Sequence, residues 1–474
     1  MCMYLRTFFV FCTKMHYRKY FVIFSLDRVG SKRYNAHSEA MNLQEKQKDM
    51  YQSSRVFYII ESALEYFISI IITGAYLAKL TSELGFSDSL TGILGAFVAL
   101  GCSFQLFTIA FFKGGPVKRR VTIIHIINQL LFMSIYLVPF LGIGGGGKTA
   151  LFILFLIGGY FFSNLISAPK VNWCMSLVDD GKRGVFTSVK EMVSLIGGFL
   201  FNLSMGAVID ELEVGGNTRM GFIVCAITIF VLMMLHTVTL LLTKEKETPH
   251  VASNIGVTER FRMVISDKSI VKVISVSVFW TVANHIATSF YGTYQVKELG
   301  FSMKYVAFLS IVYAAVRVPC SFFLGHYADK HSFAKMLKIC YGIAALSFFV
   351  CTFAAPATGK IFFTAYYMLN AAAMGGINSA ETNLIFDYVP PEKRSDTLAV
   401  KQTVYGVAGF LATVIATPLL NYIQASGNRL FGIPVYAQQV LSLLAGVATV
   451  ALIIYLDKVV LKIKTVAETQ EQKS

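Results

Sequence analysis

Apolar residues run in blocks of roughly twenty along most of the chain, each closed by Gly, Pro or clustered charge. A helix crossing hydrocarbon needs about 20 such residues. About twelve blocks qualify: 56–80, 90–112, 121–141, 150–175, 187–209, 219–242, 269–293, 303–325, 336–355, 360–386, 397–423 and 434–457. The longest polar break between them, Thr243 to Lys268, falls near the middle. This pattern predicts an all-α membrane protein of about twelve transmembrane helices in two six-helix halves.

Composition narrows the class further. Of 474 residues, 55% are apolar and 15% charged, where soluble domains carry roughly 25% charge; mean hydropathy is +0.60. The spans leave little chain for a large soluble enzyme module. The net charge of +15 is read as membrane orientation, not nucleic-acid binding. One set of alternate loops, with Lys118, Arg183, Lys190, Lys330, Lys335, Arg394 and Lys401, holds roughly 22 basic residues against about 7 opposite. Both termini and the central loop are then expected in the cytoplasm. The eight cysteines lie singly without CxxC spacing, so neither a disulfide framework nor a zinc site is indicated. No catalytic triad or metal box stands out. An ATP-driven pump and a cofactor are not indicated: the glycines at 144–147 are read as an outside turn without a following Lys-Ser/Thr in P-loop spacing.

The expected organisation is a cytoplasmic leader over 1–54, a first bundle over 55–243, a cytoplasmic loop over 244–268, a second bundle over 269–457 and a tail over 458–474. Within the leader, the runs Phe8–Cys12 and Tyr20–Leu26 are short and broken by Lys14, His16, Arg18 and Lys19. They form neither a span nor a signal peptide. Met41 heads a polar stretch, so translation is expected to start there, which N-terminal mass analysis of the native protein checks.

The halves repeat. Glu83-Leu84-Gly85-Phe86-Ser87 follows the first span and Glu298-Leu299-Gly300-Phe301-Ser302 follows the seventh. Lys182-Arg183 with Lys190 likewise matches Lys393-Arg394 with Lys401 at one common offset. The loop from Gly325 through Asp329 and Lys330 to Lys335 is similar to the cytoplasmic signature of the major facilitator superfamily, Gly-x-x-x-Asp-(Arg/Lys)-x-Gly-(Arg/Lys)-(Arg/Lys), with Ser332 in place of the second glycine. Val389-Pro390-Pro391-Glu392-Lys393-Arg394-Ser395 resembles that superfamily's second basic loop, and Lys113–Arg120 keeps the basic residues without the acidic one. The resemblance covers about residues 55–457. It implies a secondary transporter, monomeric, in the plasma membrane among its lipids, whose first and fourth spans of each half line a central cavity. It also implies that Gly325, Asp329, Lys330, Lys335, Arg183 and Arg394 form a gate latch.

Ionisable residues inside spans are costly and are functional candidates by default. Glu61 and Glu65 share one face of span 1, and Glu65 sits about 12 Å along that helix. Lys170 lies at a comparable depth in span 4 and corresponds by the repeat to Glu381 in span 10, as Asn172 does to Asn383. Glu65, Glu381 and Glu61 are the proton-coupling candidates. Lys170 either binds substrate or tunes Glu65; the plainer alternative is a neutralising pair. Asn172, Asn383, Asn284, His285, Arg317 and the repeat-related pair Tyr76 and Tyr291 complete the cavity candidates, Arg317 either as a partner for a carboxylate such as Glu381 or with its head at the cytoplasmic interface. A lone histidine such as His285 can equally be a packing residue. Span 5 has Gly197-Gly198 but no proline, unlike the drug-exporter antiporter signature, and the central loop lacks the sugar-porter pattern. The expected function is movement of a small solute by alternating access, with proton coupling. An uncoupled facilitator and a transport-dead receptor or scaffold are the alternatives.

Overall fold

The computed structural model describes residues 50–112, 116–178, 183–246 and 257–463. The start at Met41 and the side chains of Asp329 and Arg183 lie outside the described residues. Helices occupy every predicted block. Span 1 is α1 (Gln52–Ile71) and α2 (Gly74–Glu83), and span 2 is α3 (Asp88–Gly95), α4 (Phe97–Gly101), a 3-10 stretch and α5 (Thr108–Phe111). Spans 3 to 6 are α6 (Val117–Ile135), α7 (Gly145–Met175), α8 (Arg183–Val214) and α9 (Thr218–Leu242). After α10 (Val257–Ser266), which makes part of the expected central loop helical, span 7 is α11 (Lys268–Thr288), α12 (Tyr291–Thr293) and a π-helix over Tyr294–Glu298. Spans 8 to 12 are α13 (Met303–Lys330), α14 (Phe333–Cys351), α15 (Gly359–Tyr388), α16 (Pro391–Ala425) and α17 (Ala437–Lys458), with a short β1–β2 hairpin (Arg429–Leu430, Ile433–Pro434) before the last.

Among the described residues, eight helices are long and apolar enough to cross a membrane, or up to nine if the bent pair α1–α2 is one span. The remaining predicted spans fail those criteria for visible reasons. Span 2 is broken into short helices, α6 opens on Lys118, Arg119 and Arg120, and α15 carries Asn370, Asn378, Glu381 and Asn383. Polar residues on a membrane helix belong where it faces protein or water, not lipid.

In the first half α1 packs on α8 and α9, and α6 on α7 and α9; in the second, α11 packs on α16 and α17, and α15 on α13 and α14. The halves meet where α8 crosses α13, where α3 and α4 lie along α16, and where α2 meets α12. Backbone contact there is close: a Cβ on Gly292 would stand 2.7 Å from the Gly74 carbonyl oxygen.

The repeated Glu-Leu-Gly-Phe-Ser segments do the same physical job twice. Gly85 has φ +72° and Gly300 +62°, a left-handed conformation that ends a helix and costs a side-chain-bearing residue about 1–2 kcal/mol. The serines then start the next helix: Ser87 Oγ accepts from Leu90 N at 3.2 Å and Ser302 Oγ from Tyr305 N at 3.1 Å, the usual N-cap bond. Gly85→Ala and Gly300→Ala should each lower unfolding stability by about 1 kcal/mol, read as a lowered denaturation midpoint in detergent. Alanine at Gly325, where φ is ordinary and a Cβ would meet open space, should not.

Spans 1 and 7 both break. Span 1 bends by 40° between α1 and α2, where Gly74 has φ +56°. The Ile71 carbonyl beside the break accepts the Tyr136 hydroxyl at 2.6 Å. Each half also holds one tryptophan. Trp173, 4% exposed, packs with Tyr58, Ile166 and Cys174, and its indole N–H donates to the Lys244 carbonyl at 2.9 Å. Trp280, 2% exposed, lies with its ring 5.3 Å from that of Tyr341.

Asp267 caps α11 by accepting from Ser269 N and Ile270 N, and pairs with Lys393 at 2.9 Å. The hydrogen bond from Lys393 is the chief cause that lowers its carboxyl below the ordinary value. A depressed carboxylate contributes stability above its unfolded pKa, near 4, and that contribution fades as pH falls through the folded value. Both partners are substantially exposed, so the effect should stay under about 1 kcal/mol. Asp267→Asn should reduce stability slightly at pH 7 and not at all once the wild-type carboxyl is protonated, as denaturation at both pH values checks.

Candidate functional site

Glu61 and Glu65 sit on successive turns of α1 and share one cation. Lys170 Nζ, from α7, lies 2.8 Å from Glu61 Oε1 and 2.6 Å from Glu65 Oε2. Glu61 and Lys170 are buried at 1% and 4% exposure, while the Glu65 side chain is 40% exposed. The same Glu61 oxygen is 2.8 Å from His236 Nε2 on α9. The His236 ring lies 3.8 Å from that of His125 on α6, and both histidines are fully buried. Four helices therefore converge on one polar cluster inside an apolar bundle.

The second half holds a smaller cluster. Glu381 on α15 pairs with Lys401 on α16 at 3.3 Å; that lysine also donates to the Glu381 carbonyl at 3.2 Å, and the Tyr341 hydroxyl donates to the carboxylate at 3.4 Å. Lys401, grouped by sequence with a basic loop, is 6% exposed inside the bundle. Ten residues separate it from Pro391, about 15 Å of helix, a depth that arithmetic alone could have shown. Arg317 is not the partner of Glu381: its guanidinium lies 5.9 Å from the centre of the Tyr313 ring. Lys190, also grouped with a loop, has its ammonium 5.3 Å from the centre of the Tyr58 ring.

Between the halves lies a cavity of about 270 Å³. Thr73, Gly74 and Tyr76 border it at the bend of span 1, Asn202 on α8, Gln295 on the π-helix, Ser310 and Tyr313 on α13, and Tyr367 on α15. Tyr76 donates to Asn202 Oδ1 at 3.0 Å, Asn202 Nδ2 to Ser310 Oγ at 3.0 Å and Gln295 Nε2 to the Tyr367 hydroxyl at 2.9 Å. Among the described residues no side chain lining it carries a charge, and the Arg317 guanidinium stands beside the lining Tyr313. Irregular backbone at membrane depth is tolerated where it lines such a cavity.

Beyond the cavity, away from the basic loops, polar ties join the halves. Asp88 accepts from Lys297 at 2.6 Å and from Gln424 at 2.8 Å. Asp210 accepts the Met303 and Lys304 amide N–H groups at 2.8 and 2.7 Å, capping α13 from the other half.

The remaining candidates sit elsewhere. Tyr291 is buried with its hydroxyl 2.7 Å from Ser442 Oγ and does not border the cavity. His285 Nδ1 lies 3.0 Å from the Thr281 carbonyl and packs against Gly409. Asn383 donates to Ser379 on its own helix at 3.0 Å, Asn172 is exposed, and Asn284 is half-buried. Among the latch residues, Arg394 donates to the Phe386 and Val389 carbonyls at the end of α15, a helix-end contact. Lys330 and Lys335 are exposed. Ser332, where the superfamily signature has glycine, caps α14 by accepting from Lys335 N at 3.2 Å.

Contrary to the expectation that P-loop spacing is missing, Gly142-Ile143-Gly144-Gly145-Gly146-Gly147-Lys148-Thr149 spells a P-loop. Its surroundings differ from a nucleotide site. Among the described residues no strand precedes it, Gly145–Gly147 form the first turn of α7, and Lys148 Nζ donates to the Pro139 carbonyl at 3.0 Å.

The sequence model of the Major Facilitator Superfamily matches residues 60–413. A search of curated protein sequences finds no match. Among solved structures, the chain is similar to the nucleoside transporter NupG, with TM-score 0.63 and 13% identity, covering 87% of this chain and 100% of that one. A D-xylose-proton symporter gives TM-score 0.63 and 16% identity over 86% and 97% of the two chains. The xylose transporter XylE from E. coli, in an inward-open conformation, gives 0.59 and 14% over 89% and 99%.

Proposed function

The chain belongs to the major facilitator superfamily, and from that premise we propose that it carries a small uncharged polar solute across the plasma membrane by proton-coupled alternating access. The observation that carries this reading is the uncharged, tyrosine- and amide-lined cavity between the halves, tied shut at one end by Asp88 and Asp210. The moving units are residues 55–243 and 269–457, joined by the loop 244–268, with both termini in the cytoplasm. The tied end then faces outside. Asn202, bonded to Tyr76 in its own half and Ser310 in the other, is placed to feel solute and domain position together.

Lys170 is engaged by two carboxylates, which favours charge balancing over capture of an anionic solute. Nucleosides and pentoses, the solutes named for the similar structures, suit a lining of amides, hydroxyls and aromatic rings. The test is thermal unfolding of the purified protein with uridine, adenosine, D-xylose, glutamate and lysine. A ligand at 100 times its Kd adds about 2.7 kcal/mol. Stabilisation by an uncharged solute, lost in Asn202→Ala, supports the reading, and stabilisation by glutamate or lysine alone overturns the uncharged-solute part. Uptake of the stabilising solute into proteoliposomes should exceed the equilibrium level only under a pH gradient; uptake that stops at equal concentrations makes the protein a facilitator.

A further inference from the structure

Charge accounting separates the two buried clusters. In the second half, Glu381 and Lys401 cancel. In the first half, Glu61 and Glu65 oppose one ammonium, Lys170, so the cluster is one negative charge in excess while both imidazoles are neutral. The exposed Glu65 sheds part of that excess to water, but Glu61, at 1% exposure, cannot. Its Oε1 already has Lys170 on one side and His236 on the other. His236 Nδ1 and both ring nitrogens of His125 are buried without a protein partner among the described residues. Paired buried imidazoles beside an anion are equipped to take one proton.

We infer that the His125–His236 pair is the proton-binding site of the first bundle, reached from water through Glu65, Lys170 and Glu61. The relay balances. A hydronium ion protonates Glu65, the Lys170 ammonium passes a proton to Glu61 and regains one from Glu65, and Glu61 passes its proton to His236 Nε2. That nitrogen is free to accept it when the neutral ring carries its own hydrogen on Nδ1. The carboxylates and the ammonium end as they began, the imidazole has gained one charge, and the cluster is neutral. The groups facing the pair are Glu61 and Glu65 on α1 and Lys170 on α7; Tyr58 on α1, Cys174 on α7 and Lys190 on α8 lie next around them. The second bundle is left a static ion pair. This assignment rests on proton coupling as proposed above and moves the proton from the carboxylates to the histidines.

The test uses the full chain in lipid nanodiscs with isotope-labelled histidine, following ring resonances by NMR from roughly pH 5 to 9. His236→Gln keeps a hydrogen-bonding amide toward Glu61 and cannot ionise; His125→Asn assigns the second ring. The expected result is one proton taken up by the pair in the wild type, absent in His236→Gln and moved at least tenfold in proton concentration, toward acid, in Glu61→Gln. In parallel, hydrogen exchange of residues 84–95 and 294–302 reports opening of the tied end as pH changes. Rings that stay neutral across the range, while exchange still responds to pH in His236→Gln, overturn the histidine site and leave coupling to the carboxylates. Rings that titrate while exchange ignores pH leave the site standing and remove the coupling reading.

Discussion

Lys170→Met should be the most damaging single substitution in the first bundle. It leaves Glu61 buried with no cation, and removing one partner of a buried pair costs about 3–5 kcal/mol. The expected result is a large fall in the thermal midpoint, or loss of a monodisperse species. Adding Glu61→Gln should restore much of the loss, because the second change removes the stranded charge instead of a contact. Lys401→Met should behave alike in the second bundle and be rescued by Glu381→Gln. A Lys170→Met protein as stable as wild type would show that the cluster does not hold charge as its 2.8 and 2.6 Å distances imply.

The second large effect is conformational. Asp210→Ala removes an acceptor for two amide groups at the start of α13. Hydrogen bonds to a charged group contribute about 1.5–3 kcal/mol each, and about 1.4 kcal/mol is a tenfold change in population. The balance between the tied and untied ends should therefore shift at least tenfold toward untied. Spin-label distances between α8 and α13 at the tied end should lengthen. Asp88→Asn should act in the same direction and less strongly, since Lys297 is 28% exposed at its side chain and water replaces part of that bond. Unchanged distances in both variants would make these contacts ornaments of one state, not its fastening.

The architecture was legible because hydrocarbon imposes a length on every span and the repeat fixes the pairing of halves. The Glu-Leu-Gly-Phe-Ser match could be read as duplication, and the structure adds its cause: a left-handed glycine followed by a capping serine in both places. The meeting of Glu65 with Lys170 was legible from depth along two helices. The role of Glu61 as the shared centre was not, because depth along a helix says nothing of which neighbour it faces. His125 and His236 carried the same signal as His285, a lone histidine in an apolar run, and only packing distinguishes a ring bonded to its own helix from two rings in contact. Lys401 was obscured by its position just after a charge-rich turn, although α16 begins at Pro391 and carries it well inside. Asp88 and Asp210 lie at span ends, where an acidic residue is ordinary; their reach across halves depends on tertiary structure.

The placement of the two tryptophans has an optical consequence. Trp173 stands one helical turn from Lys170, and Trp280 stacks near Tyr341, whose hydroxyl touches Glu381. Each indole thus neighbours one charge cluster in one half, and the chain contains only two. Trp280→Phe leaves an emission spectrum belonging to the first bundle alone, and Trp173→Phe leaves one belonging to the second. Protonation in either half can be followed separately by fluorescence, the variant that keeps one indole reporting on the half that holds it.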